Sequence, residues 1–157
     1  ASATAIYQGD PVEMLATGTI GVAAAGDTLL LGPLTGVFYT DASTSKPTWA
    51  NHLNASNTAT DIVGFVSDDP YERFEIQADG ATAAADVGLN ADIVYAAGSS
   101  PDYVSKVELD TSDQKAGTAQ LRIMGISKDP SNNTAGSANV NLVVMINEHF
   151  LKGTAGI

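Results

Sequence analysis

A two-part pattern that occurs twice constrains this sequence more than any other feature. Residues 61–77 hold an apolar run with a central glycine, then Ser-Asp-Asp-Pro, then a second apolar run. Residues 122–146 repeat this order with Ser-Lys-Asp-Pro in the middle. Proline lacks an N–H for a sheet ladder and fixes its own φ, so each Asp-Pro ends the first run. Because the runs are rich in β-branched and aromatic residues, the pattern predicts an all-β fold with two equivalent hairpins.

The composition favours the same class. Charged residues make up 16% of the chain, against a typical share of about 25%. Long amphipathic helices need charged side chains on their wet faces, and this supply is short. Fifteen glycines and six prolines suit short strands joined by turns. We therefore predict one compact domain over residues 1–157, a barrel or a sandwich with little helix.

The charge balance excludes several partners. Eighteen acidic residues against seven basic ones give a net charge of −11. Nucleic-acid binding requires neutralisation of phosphates, and an anionic lipid surface repels an acidic chain. No apolar stretch approaches the length of a transmembrane helix. Zero cysteines exclude disulfides and thiol chemistry. We predict neither a nucleic-acid partner nor a membrane partner.

The two ends of the chain differ from the middle. Residues 1–8 begin with small and polar side chains and predict an N-terminal arm. Residues 152–157 are glycine-rich and predict a C-terminal tail. The β body is expected between them, over residues 9–151. Ordering such ends costs conformational entropy, so we expect them to bind a partner surface.

Within the body, glycine and proline signals delimit the expected strands. One strand is predicted to end at Gly32-Pro33, and another short strand covers residues 36–39. Residues 41–60 are polar and predict a long surface loop. Residues 103–109 alternate in polarity and predict a strand.

No motif predicts an enzyme. The chain has no Gly-x-Ser-x-Gly elbow and no phosphate-binding loop, so a hydrolase is a distant third hypothesis. His52 and His149 lack zinc-ligand spacing, and we expect both to be ordinary surface or hydrogen-bonding residues. We therefore predict no catalytic residue and no cofactor.

Acidic residues gather in two stretches of the sequence. Asp68, Asp69 and Glu72 form one group, and Asp110 and Asp113 form another. Carboxylate oxygens of this kind are ligands for Ca²⁺. Their spacing does not match an EF-hand, and aspartates also recur in turns without any metal. We favour the turn role and predict no metal site.

Aromatic residues outside the apolar runs are candidates for an interface. Trp49 lies in the predicted polar loop, and Phe150 precedes the glycine-rich tail. Aromatic side chains in such places are typical interface anchors, with burial in the core as the competing interpretation. The predicted interface residues are Ile6, Tyr7, Trp49, Phe150 and Leu151.

Several segments together resemble the small structural proteins that decorate or cement the heads of tailed bacteriophages. The resemblance lies in residues 6–12, 36–41 with 46–49, 68–79 and 125–147. It covers nearly the whole chain and concerns general segment pattern, not a catalytic motif. It implies a β-barrel or β-tulip-like body with extended N- and C-terminal arms.

The resemblance also implies a function as a capsid decoration protein. Proteins of this kind bind the outer surface of the virion across seams between major capsid subunits, often as dimers or trimers. The expected partners are therefore the major capsid protein and other copies of this chain. No functional residue transfers individually, because such proteins bind through surfaces. If the arm and the loop form the contacts, deleting residues 1–6 should leave the domain folded.

A virion-associated glycan-binding module is the alternative function. In that case Trp49 and Tyr39 would stack on a sugar ring. The sequence does not separate the two functions, because both use aromatic residues in and beside the same predicted loop.

Overall fold

The computed structural model describes residues 4–152, and over this range the chain is all-β, as predicted. The strands are β1 (Pro11–Met14), β2 (Ile20–Val22), β3 (Leu30–Thr40), β4 (Pro47–Ala50), β5 (Val63–Val66), β6 (Arg73–Gln77), β7 (Asn90–Ala91), β8 (Ile93–Val94), β9 (Glu108–Leu109), β10 (Leu121–Ile126) and β11 (Asn141–Ile146). The helical segments of the described range are short 3₁₀ turns, at Ala84–Asp86, Thr111–Asp113 and Phe150–Lys152. The strands form separate antiparallel sheets.

The first sheet has the order β2-β1-β3-β4, with β5 also paired to β3. Strand β3 is eleven residues long and continues through Gly32-Pro33, so the predicted break there is wrong. Pro33 has no N–H to donate, but it can stay within the strand because it pairs through its carbonyl. This carbonyl accepts the Ser67 N–H at 3.2 Å. Gly32 adopts a φ of 147° at this point, in the region that favours glycine.

Strand β4 lies inside the segment that was predicted to be a long loop. Pro47–Ala50 pairs with β3, so this part of the prediction is wrong. The connecting turn is closed by a backbone bond from Asp41 N–H to the Lys46 carbonyl at 2.9 Å. The hairpin fixes Trp49 opposite Phe38, on a strand instead of a mobile loop.

The second sheet has the order β6-β11-β10-β7. Strands β10 and β11 form the antiparallel hairpin predicted from residues 122–146. The hairpin predicted from residues 61–77 is wrong, because β5 pairs with β3 and β6 pairs with β11. The turn after β5, with a bond from Glu72 N–H to the Asp69 carbonyl at 3.1 Å, leads the chain from one sheet to the other. A local turn motif sets where a strand ends and leaves its pairing partner open.

A small third sheet joins β8 to β9. The strand predicted over residues 103–109 is reduced to Glu108–Leu109. Tyr103 has a φ of +52°, which interrupts extended pairing at the start of this segment.

Buried side chains form two apolar clusters. The first surrounds the second sheet and includes Ile123, Leu142 and Val144. The second lies under the first sheet and includes Val12, Leu34 and Val37. Each sheet therefore has an inner face on its own part of the core.

The N-terminal segment joins the second cluster earlier than predicted. Ile6 is only 3% exposed, and it exchanges two backbone hydrogen bonds with Leu53 at 2.9 and 2.8 Å. Ile6 is therefore a core residue and offers almost no surface of its own for the predicted interface role. An arm can extend only as far as the residues before Ile6. Residues 1–3 of the predicted arm and residues 153–157 of the predicted tail lie outside the described range.

Candidate interaction surface

An exposed apolar surface lies on the outer side of strands β3, β4 and β5, and we call it the aromatic face. It consists of Phe38, Trp49, Val63 and Phe65, all of them exposed hydrophobic side chains. Phe38 on β3 lies directly opposite Trp49 on β4 and Val63 on β5. Strand geometry explains the grouping, because residues that are register partners in adjacent strands project on the same side of a sheet.

Trp49 is held in place by packing that leaves most of its surface in solvent. Its ring contacts the Phe65 ring, with centroids 4.7 Å apart and planes tilted by 50°. A Cβ atom on Gly36 would lie 2.7 Å from Cζ2 of Trp49, so the ring position requires a glycine there. Trp49 nevertheless remains 58% exposed. The indole is thus oriented by its neighbours while its outer side is free to contact a partner.

The opposite side of the same strands belongs to the core. Val37 lies opposite Ala50 and Gly64 in the register and is buried in the second cluster. Alternation along β3 therefore directs Val37 inward and Phe38 outward. This inner packing anchors the three strands that present the aromatic face.

Tyr39 does not lie on the aromatic face. It pairs with Thr48, is partly buried and packs against the second cluster. Trp49 pairs with the neighbouring residue Phe38, which projects on the other side of the sheet. The predicted sugar platform of Trp49 and Tyr39 is therefore wrong.

Two aspartates beside the aromatic face carry negative charge at neutral pH. Hydrogen bonds from the Ser43 hydroxyl and the Thr44 N–H lower the pKa of Asp41 to about 2. The hydroxyl and the N–H of Thr40 lower the pKa of Asp61. Both carboxylates lie at the Thr40 end of β3, so the apolar surface has an acidic margin.

The other predicted interface residues lie in different environments. Tyr7 is partly buried and stacks with His52, with ring centroids 6.2 Å apart. Phe150 is partly buried against the second cluster, whereas Leu151 is exposed. Of the five predicted residues, Trp49 alone belongs to the aromatic face as defined above.

The histidines have structural surroundings. His52 lies flat against Tyr103, with centroids 3.9 Å apart and planes 2° from parallel. His149 is buried, so of the two predicted roles, surface or hydrogen-bonding, it has the second. Its Nδ1 accepts the Leu151 N–H at 3.0 Å. Burial lowers the pKa of both imidazoles.

The acidic groups singled out in the sequence act as local hydrogen-bond acceptors. Asp69 accepts the Tyr71 N–H at 2.9 Å, and Glu72 accepts the Ser67 hydroxyl. Asp110 caps a 3₁₀ turn, and Asp113 forms an ion pair with Lys115 at 2.7 Å. Between residues 4 and 152, no group of three or more His, Asp or Glu side chains is arranged to hold a metal ion.

Sequence reasoning missed Phe38, Val63 and Phe65, because aromatic and β-branched residues in apolar runs were assigned to the core. Gly36 lies on the same side of β3 as Phe38, where the Trp49 ring packs over it, and Gly64 alternates with Val63 and Phe65 along β5. Glycines on strands often mark places where a large side chain lies over the backbone. That alternation was the available signal, but its use required knowledge of the pairing.

No helix in the described part of the chain is long and apolar enough to cross a membrane. Comparison of the sequence with protein-family models finds no match, and comparisons with curated proteins and with solved structures find none either.

Proposed function

We propose that this chain is a structural virion protein that binds the outer surface of a tailed-phage head and joins neighbouring major capsid subunits. Its role is binding instead of catalysis, and its partners are the major capsid protein and other copies of itself. The aromatic face is the observation that supports a binding function. The phage head as the partner follows from the resemblance of the sequence segments.

The aromatic face has the chemistry of a protein-binding surface. Contiguous exposed apolar patches often mark sites where a soluble protein binds another protein. Tryptophan is among the residues that contribute most to binding energy when a partner covers it. Trp49 and Phe65 are already packed together, so little side-chain freedom remains to be lost on binding. A preformed apolar patch of this kind suits a fixed position on a large shell.

The charges around the aromatic face favour specificity. Asp41 and Asp61 form its acidic margin, and the whole chain carries a net charge of −11. An acidic surface repels free nucleic acid and so reduces non-specific binding. A capsid site that complements this face would be apolar in the centre with basic groups at its edge.

Glycan binding is the second candidate, and the exposed indole of Trp49 is the observation that favours it. A sugar ring would stack on Trp49, with Phe65 or Phe38 beside it in place of Tyr39. The four side chains of the face are apolar, and the Asp41 and Asp61 carboxylates at its margin already accept hydrogen bonds within the chain. Sugar hydroxyls need polar partners, whereas a protein surface can pack on the apolar centre without them. We therefore place the capsid function first.

Binding of the purified protein to empty heads of the encoding phage, prepared without decoration protein, tests the proposal. We expect saturable binding by the wild type and a loss of roughly tenfold or more in affinity for Trp49→Ala. Val63→Ala on the face and Val87→Ala away from it form a matched pair, because both are exposed valines. Val63→Ala should weaken binding, and Val87→Ala should not.

Two results would contradict the capsid function. One is wild-type protein that does not bind heads at any accessible concentration. The other is equal head binding by Trp49→Ala and wild type. A glycan array with Trp49-dependent binding, together with no affinity for heads, would favour the second candidate.

A further inference from the structure

One edge of the second sheet is open. Strand β6 pairs with β11 along one side, and in the described range no strand pairs with Arg73–Gln77 along the other. At the far end of the sheet, β7 is covered, because Asn90 exchanges backbone hydrogen bonds with Lys115 at 2.8 Å. An open strand of five residues can accept another strand.

The alternation of backbone hydrogen bonds along β6 shows which N–H and C=O groups face the open edge. The Ala78 N–H binds the Val140 carbonyl at 3.0 Å, in the same register as the β6–β11 ladder. In an antiparallel pair the bonded residues alternate, so Phe74 and Ile76 also bind β11. The N–H and C=O groups of Arg73 and Glu75 therefore point toward the open edge. The edge is occupied next to Gln77, where Ala78 bridges Leu109 and the Asp79 N–H binds the Leu109 carbonyl at 3.0 Å.

There is room beside this edge. A groove of about 800 Å³ lies between β6 and residues 105–108, with apolar side chains such as Val144 in its lining. Strand β6 approaches β9 at one end, where Ala78 bridges Leu109. This contact closes the edge at the end of β6, and residues 74–77 border the groove.

We propose that two copies of this chain form an isologous dimer by pairing their β6 strands antiparallel at this edge. In this dimer Phe74 lies opposite the partner's Phe74, and Arg73 lies opposite the partner's Glu75. The two-fold axis repeats the ion pair, so the interface contains it twice. The two four-stranded sheets become one continuous sheet.

Charge complementarity selects this register. Residues whose backbone groups point toward the edge pair with one another across it. Within β6, Glu75 can therefore lie opposite the partner's Arg73, Glu75 or Gln77. Glu75 against the partner's Glu75 places like charges directly opposite, which is destabilising. Glu75 against the partner's Gln77 places Arg73 opposite the partner's Asp79, which lies beyond the end of β6. The Asp79 N–H and carboxylate are already bonded within their own chain, to the Leu109 carbonyl at 3.0 Å and the Thr111 N–H at 2.9 Å.

The register with Arg73 opposite the partner's Glu75 matches both charges within β6, and both side chains are exposed. The Glu75 carboxylate accepts one hydrogen bond in its own chain, from Asn141 Nδ2 to Oε1 at 3.0 Å, which leaves Oε2 for the partner's Arg73.

The same register also places apolar groups together. Phe74 is partly buried, packs against the first cluster and lines the groove. Its position opposite the partner's Phe74 is a non-hydrogen-bonded pair, in which side chains approach most closely. Aromatic pairs at such positions stabilise strand pairing. Dimerisation therefore covers apolar surface at the mouth of the groove.

Sedimentation equilibrium over the micromolar range tests this dimer with charge variants. We expect the wild type to dimerise, and Arg73→Glu or Glu75→Arg alone to weaken dimerisation roughly tenfold, because each places like charges opposite in both symmetric positions. Lys128→Glu is the control, since it makes the same charge change as Arg73→Glu at an exposed position away from β6.

Recovery of dimerisation when the two charge changes are combined distinguishes specific strand pairing from a general effect of net charge. A mixture of the Arg73→Glu and Glu75→Arg proteins should form heterodimers, because every opposed pair is again of opposite charge. The double variant with both changes should form homodimers. Circular dichroism and thermal unfolding confirm that each variant is folded.

A wild type that remains monomeric would overturn the proposed dimer. So would a dimer that neither single variant weakens, or single variants that do not recover when mixed. The dimer involves β6 and not the aromatic face, so it requires no capsid. The dimer deepens the part of the proposed function that names other copies of the chain as a partner. A monomeric wild type would remove that part, whereas head binding through the aromatic face is decided by its own experiment.

Discussion

Replacement of Ile6 by alanine measures how firmly the N-terminal segment belongs to the folded body. Ile6 is 3% exposed and packs in the second apolar cluster. Truncation of a buried isoleucine to alanine typically costs about 2–5 kcal/mol, from lost apolar burial and from the cavity that remains. We expect about 3 kcal/mol here, because the site is fully buried but lies near the chain terminus, where relaxation is easier.

This loss is large relative to the usual stability of a domain, about 5–15 kcal/mol. For a chain of this size, 1 kcal/mol corresponds to a shift of about 2–4 °C in Tm, so we expect a decrease of about 6–12 °C. Urea unfolding followed by circular dichroism gives the free energy of unfolding for Ile6→Ala and for a matched deletion of residues 1–3. The deletion should change stability little, because it leaves Ile6 and its bonds to Leu53 intact.

The same packing changes the expectation for deletion of residues 1–6. That deletion removes the Ile6 side chain and both of its backbone bonds, so it should destabilise the domain at least as much as Ile6→Ala. If Ile6→Ala changed the free energy of unfolding by less than about 0.5 kcal/mol, as an exposed position does, the placement of Ile6 in the core would be refuted.

Three further predictions concern single positions. Gly32→Ala should prevent stable folding, because Gly32 has a φ of 147° and an added Cβ would collide with the Ser67 carbonyl. Soluble yield and circular dichroism measure the effect, and a variant with near-wild-type stability would contradict the prediction. Gln120→Ala should lower the free energy of unfolding by about 2–4 kcal/mol, because the buried side-chain amide donates to the Ala24 carbonyl at 2.7 Å and accepts from the Ile93 N–H at 3.0 Å. Urea unfolding measures this change, and a value under about 0.5 kcal/mol would contradict the prediction. Burial lowers the pKa of His149, so as the pH falls below about 6.5 the unfolded chain takes up a proton before the folded chain does, and stability falls. The free energy of unfolding, measured between pH 8 and 5, should therefore depend less on pH in His149→Gln than in the wild type. An equal pH dependence in the two proteins would contradict this role.

The sequence predicted the fold class and many turns, because these depend on local chemistry. Low charge content, frequent glycine and proline, and β-branched runs all favour short strands, and the second Ser-x-Asp-Pro pattern does connect a hairpin. The partner of each strand depends on contacts between distant residues. The first copy of the pattern has the same turn chemistry, yet β5 and β6 pair in different sheets.

Of the four residues of the aromatic face, the sequence predicted Trp49 and missed the other three. Their exposure, like strand pairing, depends on contacts between distant residues. Trp49 stood out because a large aromatic in a polar segment needs an explanation. Phe38 and Phe65 lie in apolar runs, where composition gives no indication of which side faces solvent. Only the register of β3 with β4 and β5 shows that these side chains project beside Trp49.

Photo-crosslinking from the aromatic face on intact heads is the most direct test of the central claim. A photoreactive phenylalanine analogue at Phe65 lies beside Trp49 on the face, and the same analogue at Val87 is an exposed control away from it. We predict that the protein labelled at Phe65 crosslinks to the major capsid protein, at residues from neighbouring subunits, and that the Val87 control does not. Head-bound protein that crosslinks from Val87 but never from Phe65 would contradict the assignment of the aromatic face as the capsid-binding surface.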